Sequence, residues 1–214
     1  TATSLTNNVN LGGNLTVAGS NALTLTGTVS GVGGLIKNGA ADLTLNGANT
    51  YFGNTALNAG KLIVGNATAL GSGTLNAAAN TTLDANTAVS LGNAVNLAGA
   101  LNIGGTADLT LGGTVNGAGS LVKNGTANLN LNGANSYLGG TTLNAGQLVV
   151  GNDNALGQGA LAVAGASALS SSGNVTLANN VTLNAGLTVD GANDLTLNGV
   201  INGTAGLTKS GSGN

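Results

Sequence analysis

A long internal repeat constrains this chain more than any other feature. The segment from Gly31 to Leu75 returns from Gly117 to Leu161, an offset of 86 residues, with about two-thirds of the positions identical. The offset holds without a gap on either side. Val89, Leu91, Val95 and Leu97 map onto Val175, Leu177, Val181 and Leu183, and Leu5, Val9 and Leu11 map onto Leu91, Val95 and Leu97. Gly203 to Asn214 restarts the unit that opened at Gly31 and Gly117. Residues 1–214 therefore read as one continuous segment of about two and a half copies: partial over 1–30, complete over 31–116 and 117–202, partial over 203–214. Such a chain is expected to be a fragment of a longer array.

Inside the unit, apolar residues sit at i and i+2 in very short runs: Leu23-Thr24-Leu25, Leu43-Thr44-Leu45, Val95-Asn96-Leu97, Leu109-Thr110-Leu111. That alternation marks strands with one face buried. Gly- and Asn-rich turns such as Asn46-Gly47 and Asn132-Gly133 separate them, and no window carries the 3.6-residue pattern of a helix. Leu23, Leu43, Leu62, Leu83 and Leu101 show a recurrence of about 20 residues. Three short strands with tight corners in each 20 residues are what one coil of a parallel β-solenoid needs. The expected fold is all-β, a parallel β-helix of roughly ten coils with almost no helix, about 50 Å long at a spacing of about 4.8 Å per coil. Propeller, sandwich and disordered alternatives fit less well: the strands are short, aromatics are scarce, and the 42% apolar content is unlike disorder. Corner Gly and Asn are expected to supply positive φ, and stacked Asn side chains to pair along the axis. Proline, which would remove a ladder donor, is absent.

The inventory of side chains excludes much chemistry. There is no His, Cys, Met, Trp, Arg or Glu; the ionisable side chains are four Lys, six Asp and two Tyr. A His/Cys metal site, a Ser-His-Asp triad and a thiol nucleophile are thereby ruled out, and an acid/base pair would need two Asp in close approach. A net charge of −2 and three aromatic residues offer nothing to neutralise phosphates or stack bases, so no nucleic acid is expected as a partner. No apolar run approaches the roughly 20 residues of a membrane span. No signal peptide is visible at the start, and the Gly-Gly-x-Gly-x-Asp calcium signature of repeat solenoids is missing. No enzyme activity, cofactor or metal is expected.

Few residues stand out as candidates for contact with a partner. Tyr51 and Phe52, with Tyr137 in the second copy, read either as a platform for a sugar ring or protein surface, or as corner residues packed over a strand layer with the hydroxyl bonded to backbone. Lys37, Lys123 and Lys209 share one register, as do Asp108 and Asp194, and are expected to be solvated outward charges that discourage lateral sheet pairing. Outward Thr residues raise the possibility of a flat hydroxyl array suited to ice or polysaccharide, although Thr44 becomes Asn130 and Asn96 becomes Thr182 in the next copy. Asn-x-Ser/Thr triplets such as Asn14-Leu15-Thr16 are unremarkable in a chain so rich in Asn and Thr.

The blocks GLIKNGAADLTLNGANTYFGNTALNAGKLIVGN and SLVKNGTANLNLNGANSYLGGTTLNAGQLVVGN resemble the autotransporter-associated β-strand repeat. Lys37, Leu43, Leu45, Gly47, Asn49, Tyr51, Gly53, Thr55, Leu57, Gly60 and Leu62 all fall in its register, as do their partners 86 residues on. One departure is Ala41 and Ala127 where the pattern has a second Gly. The resemblance covers about two-fifths of the chain. It implies a right-handed β-helix in the passenger of a large bacterial surface protein, displayed outside the outer membrane. There it would serve as a structural stalk that supports secretion, adhesion or biofilm formation. The partners so implied are glycans or proteins of host or neighbouring cells, or further copies of the chain; a laterally binding surface or a self-assembling filament is the alternative.

Overall fold

The computed structural model describes residues 2–214, and among them it contains 28 strands and no helix. Every strand pairing is parallel, and partners lie 19 to 21 residues apart, nearly always 20. The chain is a β-solenoid with one coil per 20 residues and three strand positions per coil. Strand alternation sets the core: Leu43 and Leu45 are buried while Thr44 between them is partly exposed, and the same pattern runs through Leu129–Leu131 and Leu161–Val163. Each enclosed Leu or Val contributes about 1.5–3 kcal/mol against exposure, and a single apolar column made of Leu, Val, Ile and Ala runs the length of the rod.

The expected 20-residue column needs one adjustment. Leu43 pairs with Leu62, a step of 19, Leu62 with Leu83, a step of 21, and Leu83 then pairs with Ile103 rather than with Leu101, which sits beside Thr81. The same short and long steps recur 86 residues later at Leu129, Leu148 and Leu169.

The three faces of the rod are unequal. The first is a continuous sheet of 11 strands, from Thr3–Leu5 to Ile201–Gly203. The second breaks into a pair (Val9–Leu11, Val29–Gly31) and a run of 7 from Val89–Leu91 to Leu207–Lys209. The third breaks into a run of 6 from Leu15–Val17 to Val115–Gly117 and a pair (Val175–Leu177, Leu195–Leu197). Both interruptions fall on the same piece of sequence. On the second face, residues 49–51 and the turn over 66–72 replace strands; on the third, 135–137 and 152–157 do so.

The cause is arithmetic. Eighty-six residues are four coils of 20 and six residues over, and six residues are one strand with its corner. Each sequence unit therefore restarts one face further round the rod. Leu35–Lys37 lies on the third face, its counterpart Leu121–Lys123 on the first and Leu207–Lys209 on the second. Repeat and coil are out of step by a third of a turn.

Asn plays a different part from the expected one. Asn80 is the only non-glycine residue with positive φ among those described. Most other corner Asn residues act through their side chains instead. Asn58 donates to Asn38 at 2.8 Å, and Asn144 to Asn124 and Asn124 to Asn102 at 2.7 and 3.2 Å, which is the expected axial ladder. Asn8, Asn14, Asn54 and Asn180 each accept a backbone N–H from the next coil.

Candidate functional site

The most differentiated place in the coil is the corner that interrupts the sheets. Its first element is Asn49. The carboxamide oxygen accepts the N–H of Val29 at 2.8 Å, and the amide nitrogen donates to the carbonyl of Ala69 at 2.7 Å. One buried side chain thus joins three successive coils. Asn135 repeats the bridge between Val115 and Ala155, both bonds at 2.7 Å.

Two residues on, Tyr51 points into the core and is fully enclosed, as is Tyr137. Its hydroxyl bonds the Thr55 hydroxyl at 2.6 Å, and that of Tyr137 bonds Thr141 at 2.5 Å. A buried phenol keeps its proton because the anion would lose its hydration: the Tyr51 pKa is pushed up to about 12, against the smaller opposing effect of the Thr55 bond. Tyr137 is raised further for the same reason. The aromatic ring fills the volume that strand side chains fill in other coils. The covering turn demands glycine: Gly71 has φ +58, and a Cβ there would come within 2.3 Å of the Tyr51 carbonyl oxygen, with Gly157 over Tyr137 in the same position.

This placement corrects two expectations. A ring with no exposed surface offers no stacking face, so Tyr51 and Tyr137 are not a platform for sugar, and their hydroxyls bond a Thr side chain rather than backbone. Of the three aromatic candidates only Phe52 lies on the outside, at 70% exposure, with Leu138 as its counterpart at 56%.

The Lys register is corrected as well. Lys37 and Lys123 occupy inward strand positions with almost no exposed surface. Their stems line the core and their ammonium groups end on corner carbonyls. Lys37 Nζ donates to the carbonyls of Gly39 at 2.6 Å and Ala59 at 3.0 Å, in adjacent coils; Lys123 does the same to Gly125 and Ala145. Desolvation lowers both pKa values, with Asp42 and Asp108 respectively opposing it. Only Lys209, in the last coil, is exposed, and it too bonds the carbonyl two residues on, Gly211. These lysines are clamps between coils. Alternation carried the signal, since Lys37 stands two residues from the inward Leu35; its charge pointed the other way.

Asp108 and Asp194 are exposed as expected, and each accepts the N–H of the residue one coil on, Asn128 and Asn214. Asp84 is buried, with one carboxylate oxygen on the Thr106 N–H at 3.1 Å and the other on the Thr106 hydroxyl at 2.7 Å. Its capacity is spent on structure. Among the described residues no three acidic groups lie close enough to hold a metal ion, and no helix is long and apolar enough to cross a membrane. Outward Thr does not form a long column: Thr24 and Thr44 are neighbours, but Ile63 follows.

Fold and corner together define a parallel β-solenoid in which, once per repeat unit, a Lys and an Asn tie neighbouring coils together and a Tyr–Thr pair fastens the corner within its coil. Residues 35–64 and 121–150 match the model of the passenger-associated-transport-repeat family, and each match contains one of the two Asn-x-Tyr segments. That match and the solenoid fold fit a segment of an autotransporter passenger and point to the cell surface or its exterior. Neither the curated proteins nor the solved structures contain a match to this chain.

Proposed function

We propose that this chain is a structural, non-enzymatic stalk segment of a bacterial surface protein, and that its role is mechanical: it holds other parts of that protein away from the cell in support of adhesion or biofilm formation. The observation that supports this best is how the repeat's most specific residues are used. Lys37, Asn49, Tyr51 and Thr55 are all turned inward or toward neighbouring coils, where Lys37 and Asn49 add cohesion along the axis and the Tyr51–Thr55 pair braces the corner within its coil. A repeat selected for catalysis would place its polar groups together and open to substrate.

Stability in such a rod is a sum of coil and coil-to-coil contributions. Each coil added to a folded edge gains its full ladder and its share of the apolar column, so folding outside a membrane would proceed directionally and draw the chain outward. Truncation by one coil at a time from the C-terminal side tests this. Denaturant midpoint and m-value should fall in steps as coils are removed; abrupt loss of all structure on deleting one coil would refute the additive rod.

A further inference from the structure

Two notches on the rod surface are the same notch. One is walled by the turn through Gly71 and Gly73 and by Asn93 of the next coil, the other by Gly157, Gly159 and Asn179, each residue displaced by 86 from its equivalent. Their volumes are about 320 and 210 Å³, the first at the lower end of ligand pockets, which begin near 300 Å³, and the second below it. The notch belongs to the repeat and not to one accident of sequence.

Its polar groups are prepared in the same way in both copies. Asn93 is nine-tenths buried, and its amide nitrogen donates to the carbonyls of Gly71 and Gly73 at 3.0 and 2.8 Å. Asn179 donates to Gly157 and Gly159 at 3.0 and 2.7 Å. Two carbonyl acceptors fix which end of the carboxamide is nitrogen. The oxygen is therefore left over, and it accepts no hydrogen bond from the protein. In the same notch the backbone N–H of Gly73 donates to no protein acceptor, nor does that of Gly159. One residue with an unused acceptor and one with an unused donor thus line each concavity.

We infer that these notches are a repeated, low-affinity site for a neutral saccharide unit. A sugar hydroxyl both donates and accepts, and so complements the free oxygen and the free N–H together. No cationic side chain lines either notch, and Asp153 adds a carboxylate to the wall of the second where Ala67 stands in the first, which disfavours phosphate or carboxylate ligands; the remaining walls of Gly, Ala, Ser, Thr, Asn and Gln offer no apolar pocket for a peptide side chain. The missing aromatic wall predicts weak binding per site. Repetition offsets it, because one polymer can engage several units. The register shift puts the first notch at the corner leading into the third face and the second at the corner leading into the first, so a longer array would present the site around the whole rod. This reading does not depend on the stalk function.

The test fills the notches without touching their hydrogen bonds. Gly92 lines the first notch, has open space where a Cβ would go, and is replaced in the second by Ala178. Gly92→Leu and Ala178→Leu should leave the circular dichroism spectrum and thermal midpoint of the intact chain unchanged. Saturation-transfer NMR with neutral oligosaccharides of glucose, mannose and N-acetylglucosamine at 10 mM should show contact with the unmodified chain. That signal should fall about twofold in either single variant and vanish in the double variant. Absence of contact with all three sugars, or contact unaffected by the double variant, overturns the proposal; so does equal displacement by a Gly-Ala hexapeptide, which would reassign the notch to peptide.

Discussion

At the residue scale, the chain uses its few polar side chains as axial fasteners. Removing the Tyr51 hydroxyl by Tyr51→Phe leaves the buried Thr55 hydroxyl without its partner and should cost about 1–2 kcal/mol in denaturant unfolding. Asn49→Ala orphans a buried N–H and a buried carbonyl in two different coils and should cost more, about 2–4 kcal/mol. The opposite sign is expected at Ser171, whose hydroxyl is buried with no hydrogen-bond partner and whose equivalent in the preceding unit is Ala85. Ser171→Ala should raise stability by about 1 kcal/mol. Alkaline pH has a defined effect through Tyr51. A phenol with a folded pKa near 12 and an unfolded value near 10 binds more protons when folded across that interval, so its contribution is intact below pH 10 and is lost as pH rises toward 12. The depressed Lys37 and Lys123 act in the reverse direction, adding stability as pH climbs from their folded values to 10.5. Unfolding midpoints measured from pH 8 to 12 should rise slightly and then fall, and Tyr51→Phe with Tyr137→Phe should flatten the fall.

At the scale of the coil, close approach of backbones governs which substitutions survive. A Cβ on Gly47 would lie 2.2 Å from the carbonyl oxygen of Gly27 in the coil below, and on Gly133 2.3 Å from that of Gly113. Backbone cannot yield there without opening the ladder, so Gly47→Ala should destabilise by several kcal/mol, about as much as a Leu→Ala change in the core at 2–5 kcal/mol. Gly92→Ala, with open space at the same atom, should fall within about 0.5 kcal/mol of the parent. Comparing the two by thermal melting separates tight stacking from the general helpfulness of glycine in turns. The strands themselves were legible in advance, because i, i+2 alternation over three residues needs only a pleat. The Asn-x-Tyr corner was not: nothing local says that an aromatic flanked by Asn and Gly turns inward, and the volume it fills is defined only by the coils above and below.

At the scale of the whole molecule, the mismatch of 86 against 20 makes the rod a threefold screw in which three units span 13 coils, about 62 Å at about 4.8 Å per coil. Spin labels on Cys introduced at exposed positions 52 and 132, the same corner four coils apart, should give a distance near the axial rise of about 19 Å. Labels at 52 and 138, equivalent in sequence, should lie clearly farther apart, because they occupy different corners. Equal distances would refute the rotation. One consequence concerns cohesion: since the strand-replacing corner moves on by a face each time, no sheet is interrupted in every unit, and the first face runs unbroken through 11 strands.

The amino-acid sequence by itself determined the solenoid, its 20-residue coil and its apolar column, because these follow from periodicity, and periodicity is a property of one chain read in order. It also singled out Lys37, Asn49, Tyr51 and Thr55 as a repeated set, though not Gly71, whose turn covers the ring. Tertiary structure alone decided which way those residues face. Lys37 and Tyr51 look outward-bound by composition, yet the coil geometry turns both inward, where a long stem and a ring fill space; the Lys37 tip reaches the next coil, and the Tyr51 hydroxyl bonds Thr55 within its own. The rotation of each unit by a third of a turn was present in two numbers of the sequence, but it acquires meaning only once three strands are known to close one coil.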